Sequence, residues 1–162
     1  CGAARPHFFG GVATVVSKLL LQSLPDRAYF GEKDFQQLQV IKRMARDLDI
    51  PVDVRGVPTV REDDGLAMSS RNKYLSAEQR HVASTLYRVL QDVAQQFADG
   101  ANADAALADG VATLRATGFD PIDYLEIRDS ETFDALQTNN GKARVFGAAH
   151  LGETRLIDNI AV

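Results

Sequence analysis

Before Pro58 the hydrophobic period alternates between that of a helix and that of a strand, and no other feature restricts the fold of this chain as much. Val12, Val15, Val16, Leu19 and Leu20 recur at helical spacing, which predicts one buried helix face over residues 11 to 23. Leu24-Pro25-Asp26 ends that helix, and Arg27-Ala28-Tyr29-Phe30 reads as a short strand. Residues 31 to 34 form the tight connection into a second helix, with Leu38, Ile41, Ala45 and Leu48 on its inner face. Val52-Asp53-Val54-Arg55-Gly56-Val57 is the next strand, closed by Pro58, which has no N–H to give to a sheet ladder. Helix, strand, helix, strand is the order of a parallel, doubly wound sheet.

The rhythm then changes. Residues 59 to 74 are polar, with little apolar periodicity, and read as a hinge that carries function. One long helix follows, with Ser76 as N-cap, Gln79 as its capping-box partner, and Val82, Leu86, Val89, Leu90, Val93 and Phe97 along one stripe before Gly100 stops it. A weaker helix spans residues 102 to 117, where Leu107, Val111 and Leu114 keep the period and Gly118 terminates it. The alanine-rich run from 101 to 108 is a small-residue helix rather than a low-complexity tract. Residues 122 to 128, 143 to 150 and 154 to 160 are strand-like, separated by the turns Thr138-Asn139-Asn140-Gly141 and Leu151-Gly152-Glu153.

With 162 residues, 45% of them hydrophobic, the chain can bury a core as one medium domain or two small ones. A net charge of -4 argues against nucleic acid or an anionic membrane as partner, since both require clustered cations. Cys1 is the single cysteine, so no internal disulfide forms and a cytoplasmic location is expected. No apolar run approaches the ~20 residues of a membrane span. The opening Cys1-Gly2-Ala3-Ala4-Arg5-Pro6 reads like the interior of a longer polypeptide, so a fragment is expected.

Two polar blocks carry chemistry. Phe30-Gly31-Glu32-Lys33-Asp34-Phe35-Gln36-Gln37 sits where the first strand meets the next helix, at the carboxyl edge where open α/β sheets bind ligands. Gly31 lets backbone approach a ligand, Lys33 suits phosphate oxygens, Asp34 accepts from hydroxyls or caps the helix, and Gln36 and Gln37 add amides. Asp64-Gly65-Leu66-Ala67-Met68-Ser69-Ser70-Arg71-Asn72 sets two hydroxyls beside a guanidinium, a combination that matches phosphate. The plain alternative is that both blocks are solvated surface around a helix start and a turn. Their joint position favours function, with Lys33 and Arg71 expected to face one polyphosphate in a common crevice.

These residues, together with Gly56-Val57-Pro58-Thr59-Val60-Arg61-Glu62, Tyr124-Leu125-Glu126-Ile127-Arg128-Asp129 and Leu151-Gly152-Glu153-Thr154-Arg155-Leu156-Ile157-Asp158-Asn159, closely resemble the pantothenate synthetase family. The resemblance covers essentially the whole chain but only part of the family's length. It implies an α/β fold: the end of a Rossmann-like parallel sheet, followed by a small α+β domain with two helices and a three-stranded antiparallel sheet. Residues 1–59 would be the carboxyl-terminal part of the nucleotide-binding domain, and 60–162 a small lid domain. The implied reaction is ATP-dependent condensation of pantoate with beta-alanine through a pantoyl adenylate, releasing pyrophosphate and then AMP, with Mg2+. By the same resemblance Gly31, Glu32, Lys33 and Asp34 bind ATP, Val60 offers backbone to the adenine, and Met68, Ser69, Ser70 and Arg71 close over the phosphates. Lys33, Ser69, Ser70 and Arg71 would be the catalytic residues, Gln37 would hold pantoate, no metal ligand is assigned, and a homodimer is expected.

The family's His-x-Gly-His motif is absent, since the three histidines are His7, His81 and His150. In Arg5-Pro6-His7-Phe8-Phe9-Gly10-Gly11-Val12, Phe8 stands where the family carries histidine, and no role passes to His7. The isolated chain is therefore expected to be inactive. Two other readings remain: a non-catalytic folding or dimerisation module, because an incomplete sheet leaves an edge, and an aminoacyl-tRNA synthetase fragment, which the acidic charge disfavours. No group of Cys, His, Asp or Glu has zinc-site spacing.

Overall fold

The computed structural model describes residues 7–162, in two compact units that divide after Thr59. The Arg5-Pro6 half of the Phe8 motif, and Cys1, lie outside the described residues.

In the first unit, helix α1 (Phe8–Ser23) is followed by β1 (Arg27–Gly31), a 3-10 turn (Glu32–Asp34), α2 (Phe35–Asp47) and β2 (Asp53–Val57). The two strands are parallel and paired in register from Arg27 with Asp53 to Gly31 with Val57. A helix crossing over between two parallel strands is the βαβ unit expected from the alternating periods. α2 turns Phe35, Leu38, Ile41 and Ala45 inward, and Leu20, Ala45 and Ile50 form a small core with Val16, Ala28, Met44, Val52 and Val54.

Two expectations fail here. Leu48 is 59% exposed, because α2 ends at Asp47 and Asp49 adopts a left-handed φ of 51°. Ile50 takes the inner place instead, its N–H donating to Ala45 O at 2.9 Å. Of the five apolar positions expected on the inner face of α1, Leu20 is buried and Val12 and Val16 are half-buried, while Val15 and Leu19 are exposed. A four-residue step is one narrow ridge of a helix, and the neighbouring three-residue line lies off it.

The second unit opens with a hairpin closed by an antiparallel bridge between Arg61 and Ala67, continues through a 3-10 turn (Ser70–Tyr74), and then forms α3 (Ala77–Ala83), α4 (Thr85–Ala98) and α5 (Ala103–Ala116). β3 (Ile122–Asp129), β4 (Ala143–Leu151) and β5 (Thr154–Ala161) make one antiparallel sheet in that order. The Ser76–Gln79 capping box forms in both directions, Gln79 N–H to Ser76 Oγ at 3.2 Å and Ser76 N–H to Gln79 Oε1 at 2.9 Å.

The single helix read between Ser76 and Gly100 is divided at buried Ser84. Ser84 and Thr85 are both buried at the break, which leaves Leu86 in the core and Val82 packed against it. On α5 the buried positions are Ala103, Ala106, Gly110 and Leu114, with Leu107 and Val111 only half-buried beside them. Small residues let α5 lie close: a Cβ on Gly110 would stand 2.7 Å from Leu125 Cδ2 and 3.0 Å from Val93 Cγ2. The α4 stripe of Leu86, Val89, Leu90, Val93 and Phe97 joins Leu114, Phe119, Leu125, Ile127, Val145 and Leu156 in one core.

Candidate functional site

Two groups of polar residues are each built by their own unit. At the carboxyl end of β1, Gly31 has an ordinary extended backbone, φ -66° and ψ 134°, and an added Cβ would meet nothing within 4 Å. Neither backbone geometry nor packing among the described residues calls for glycine there. Gly56, paired with Phe30, is the opposite case: its Cβ would lie 2.8 Å from Glu32 Oε1 and 3.0 Å from Leu38 Cδ2. Its missing side chain is what seats the Glu32–Asp34 turn on β2, and with it half-buried Lys33.

Asp34 is exposed and does not cap α2, since its φ of -95° and ψ of 55° make no side-chain cap bond. Of the two roles weighed for it, capping is ruled out. Gln37 is half-buried. Its neighbour Gln36 has a buried Oε1 with no hydrogen-bond partner in the structure, an acceptor that a packed interior rarely leaves idle.

The second group surrounds the entry hairpin. Val60 O accepts from Met68 N–H at 3.0 Å, Glu62 N–H donates to Leu66 O at 2.9 Å, and Gly65 N–H to Glu62 O at 2.8 Å. Residues 59 to 74, expected as a polar hinge that carries function, hold a bonded hairpin and a 3-10 turn. Gly65 is required twice over, by a φ of 89° and by Tyr87, whose Cδ1 would stand 2.5 Å from a Cβ.

Arg61 makes the strongest anchor. Nη1 and Nη2 reach Asp158 Oδ2 and Oδ1 at 2.6 and 3.0 Å, Nη1 also donates to Gly65 O at 3.0 Å, and the guanidinium lies 3.8 Å above the Tyr87 ring. From this base the chain presents exposed Met68, half-buried Ser69, and exposed Ser70 and Arg71. Ser69 Oγ accepts from Arg71 N–H at 3.2 Å and Ser69 O from Asn72 N–H at 3.0 Å, so the hydroxyls and the guanidinium project from a turn that is already formed.

Behind that turn, Asn72 Nδ2 donates to Glu62 Oε1 at 2.8 Å and to Ala67 O at 3.2 Å, while Arg80 of α3 binds Glu62 at 2.7 Å and Asp64 at 2.5 Å. The bonds from Asn72 and then Arg80 hold the Glu62 carboxyl below the usual range. Arg80 does the same to Asp64, and its own pKa is pushed up by both acids. Sequence reading carried Arg61, Glu62, Asp64, Asn72 and Asp158 inside its motifs without a supporting role for any of them, and it did not name Arg80. The only available signal was a set of opposite charges at irregular separations, which has no spacing rule.

The predicted residues thus gather as Gly31, Glu32, Lys33, Asp34 and Gln37 in one unit, and Val60, Met68, Ser69, Ser70 and Arg71 in the other. His7 is exposed at the N-cap of α1, His81 is exposed on α3, and His150 lies next to the end of β4 with Nε2 3.7 Å from Asp123 Oδ1. Among the described residues no three His, Cys, Asp or Glu side chains gather as a metal cluster, and no helix is long and apolar enough to cross a membrane.

The architecture defines an α/β protein with a parallel two-stranded sheet in one unit and an antiparallel three-stranded sheet in the other. A family described as pantoate-beta-alanine ligase matches residues 1–161, and the chain belongs to that family. It is 56% identical over 162 residues to the pantothenate synthetase of Paramagnetospirillum magneticum, spanning 100% of this chain and 57% of that protein. The Bradyrhizobium sp. pantothenate synthetase is 58% identical over 98% of this chain and 56% of its own length. The crystal structure of pantothenate synthetase from Thermus thermophilus matches with a TM-score of 0.92 at 52% identity, covering 98% of this chain and 58% of that one. Pantoate-beta-alanine ligase from Francisella tularensis, complexed with beta-gamma ATP and beta-alanine, matches with a TM-score of 0.73 at 33% identity over 99% of this chain and 52% of its own.

Proposed function

We propose that this chain supplies part of an ATP-dependent ligase that condenses pantoate with beta-alanine, through a pantoyl adenylate, to give pantothenate, AMP and pyrophosphate. The observation that carries this reading is family membership over residues 1–161, with the phosphate-type side chains of both motifs present. That the Francisella relative was solved with beta-gamma ATP and beta-alanine supports it further. Residues 1–59 are read as the carboxyl-terminal part of the nucleotide-binding domain and 60–162 as its lid.

In the first half-reaction a pantoate carboxylate oxygen bonds to the α-phosphorus as the bond to pyrophosphate breaks, and negative charge grows on the leaving group. Lys33 and Arg71, with the hydroxyls of Ser69 and Ser70, stabilise that charge best where water is excluded. Gly31, Glu32 and Asp34 line the nucleotide, Met68 closes over it, Val60 meets the adenine through backbone atoms that the Met68 bond leaves available, and Gln37 orients pantoate. In the second half-reaction the beta-alanine amine attacks the acyl carbon, loses a proton and expels AMP.

Magnesium typically keeps most of its water and bridges substrate phosphates to one or two carboxylates. Exposed Asp34, which makes no cap bond, and Glu32 are the acids beside Lys33 that suit such an ion. When bound, it would offset phosphate charge.

The chain spans about 57% of its curated relative from Paramagnetospirillum, and it contains no His-x-Gly-His. We therefore propose that the 162-residue chain is inactive by itself, that the enzyme carrying these residues is a cytoplasmic homodimer, and that it binds neither nucleic acid nor membrane. Pantothenate formation from ATP, pantoate and beta-alanine tests two of these statements, the ligase activity first and the inactivity of the 162-residue chain second. The complete reading frame should turn over and the 162-residue chain should not; turnover by the short chain sinks the second statement, and none by either sinks the first. The competing reading is a folding or dimerisation module. It draws on the two-stranded sheet of the first unit and on exposed Val15 and Leu19, and it would be favoured by light scattering showing dimers in a product without ligase activity.

A further inference from the structure

We propose that Glu62 and Asn72, held by Arg80, are positioning residues that preform the Ser69-Ser70-Arg71 turn before any phosphate arrives. This inference rests on the reading of that turn as the phosphate-closing element. The turn is tied at both ends. Upstream, Met68 N–H donates to Val60 O at 3.0 Å. Downstream, half-buried Asn72 spends its amide on Glu62 Oε1 at 2.8 Å and Ala67 O at 3.2 Å.

Glu62 is the shared acceptor: one oxygen takes Asn72 and the other takes Arg80 Nη2 at 2.7 Å. Arg80 in turn is fixed by Asp64 on the same hairpin and by its place on capped α3. The chain of contacts runs from a helix to a hairpin acid to the residue after Arg71, and each link is charge-assisted on at least one side. A glutamine at 62 could accept from Asn72 only by turning its own NH2 toward Arg80, so isosteric replacement breaks one link whichever way it lies. A loop that must otherwise order itself on ATP loses rate rather than fold.

Two readouts test this. In the enzyme expressed from its complete reading frame, Glu62→Gln and Asn72→Ala should each slow single-turnover adenylate formation about tenfold or more, with KM for pantoate unchanged. Arg80→Lys should fall between these and wild type, since lysine keeps the charge but loses the fork. Asn102→Ala, which weakens the α5 cap that Asn102 Oδ1 makes with Ala105 N–H and touches none of Glu62, Asn72 and Arg80, should stay within about twofold at temperatures below unfolding. In the 162-residue chain, limited trypsin cleavage after Arg71 and Lys73 should accelerate about tenfold in Glu62→Gln and not in Asn102→Ala.

Wild-type adenylation rates and wild-type cleavage in Glu62→Gln overturn the proposal, as does equal loss in Asn102→Ala, which would make the effect one of general stability. If the complete enzyme makes no adenylate, or Arg71→Ala is fully active, the functional reading fails instead. The cleavage result then still decides whether Glu62 holds the turn.

Discussion

Arg61 and Asp158, 97 residues apart, meet in a two-pronged ion pair at 2.6 and 3.0 Å that fastens the entry hairpin to β5. Asp158 retains 3% and Arg61 19% of its side-chain exposure, so little solvent is left to replace either partner. Removing one charge of such a pair strands the other. Arg61→Met should cost about 3–5 kcal/mol by urea unfolding, and Arg61→Met with Asp158→Leu should recover most of it. A loss below about 1 kcal/mol in the single variant would mean that the pair is no more than a surface bridge.

Gly110 tests the close approach of α5 to α4 and β3. A valine there would add volume where Leu125 Cδ2, Val93 Cγ2 and Val89 Cγ1 already lie within 3.1 Å of the first added carbon. The expected loss is about 1–3 kcal/mol in chemical unfolding, and a neutral result would mean that these side chains repack freely.

Acid should loosen the second unit through Asp129. Its carboxylate accepts from Thr132 N–H at 3.0 Å, Glu131 N–H at 2.8 Å and Asn140 Nδ2 at 2.8 Å. The Thr132 and Glu131 bonds, followed by that of Asn140, hold its pKa below the ordinary value. A depressed carboxylate contributes stability that is complete above the unfolded pKa of ~3.9 and is lost as pH falls through the lower folded value. Stability measured downward from about pH 4 should therefore fall less in Asp129→Asn than in wild type. Parallel curves would remove Asp129 from the account.

Lys33→Ala and Arg71→Ala in the complete enzyme should each slow adenylate formation roughly a hundredfold to a thousandfold, the range for losing one preorganised charge-stabilising group. Single-turnover kinetics at wild-type rate would refute either role. Gln37→Ala should raise KM for pantoate more than it lowers kcat, and an unaltered pantoate dependence would mean that the residue is wrongly placed.

Much of the local architecture was legible in the residues themselves. The Ser76–Gln79 capping box, the α4 stripe and the strands now seen as Ile122–Asp129, Ala143–Leu151 and Thr154–Ala161 follow from capping chemistry and period, which act over a few residues. The two candidate motifs were legible for the same reason, as short runs of matched side-chain chemistry. What escaped was their support. Gly56 beneath Glu32, Glu62 behind Asn72 and Asp158 under Arg61 join residues far apart in the chain, and no periodicity encodes such a pairing.

The sequence alone determined the order and type of most elements, which face of α4 is apolar, and which residue types the two polar motifs carry. Only the tertiary structure decided that Leu48 leaves the core for Ile50, that Ser84 divides one helix into two, and that residues 59 to 74 form an anchored hairpin and turn. Local preferences cost a few tenths of a kcal/mol per residue at most positions, whereas burying an ion pair or excluding a methyl group costs several times that. Wherever the two disagreed, the long-range contact prevailed.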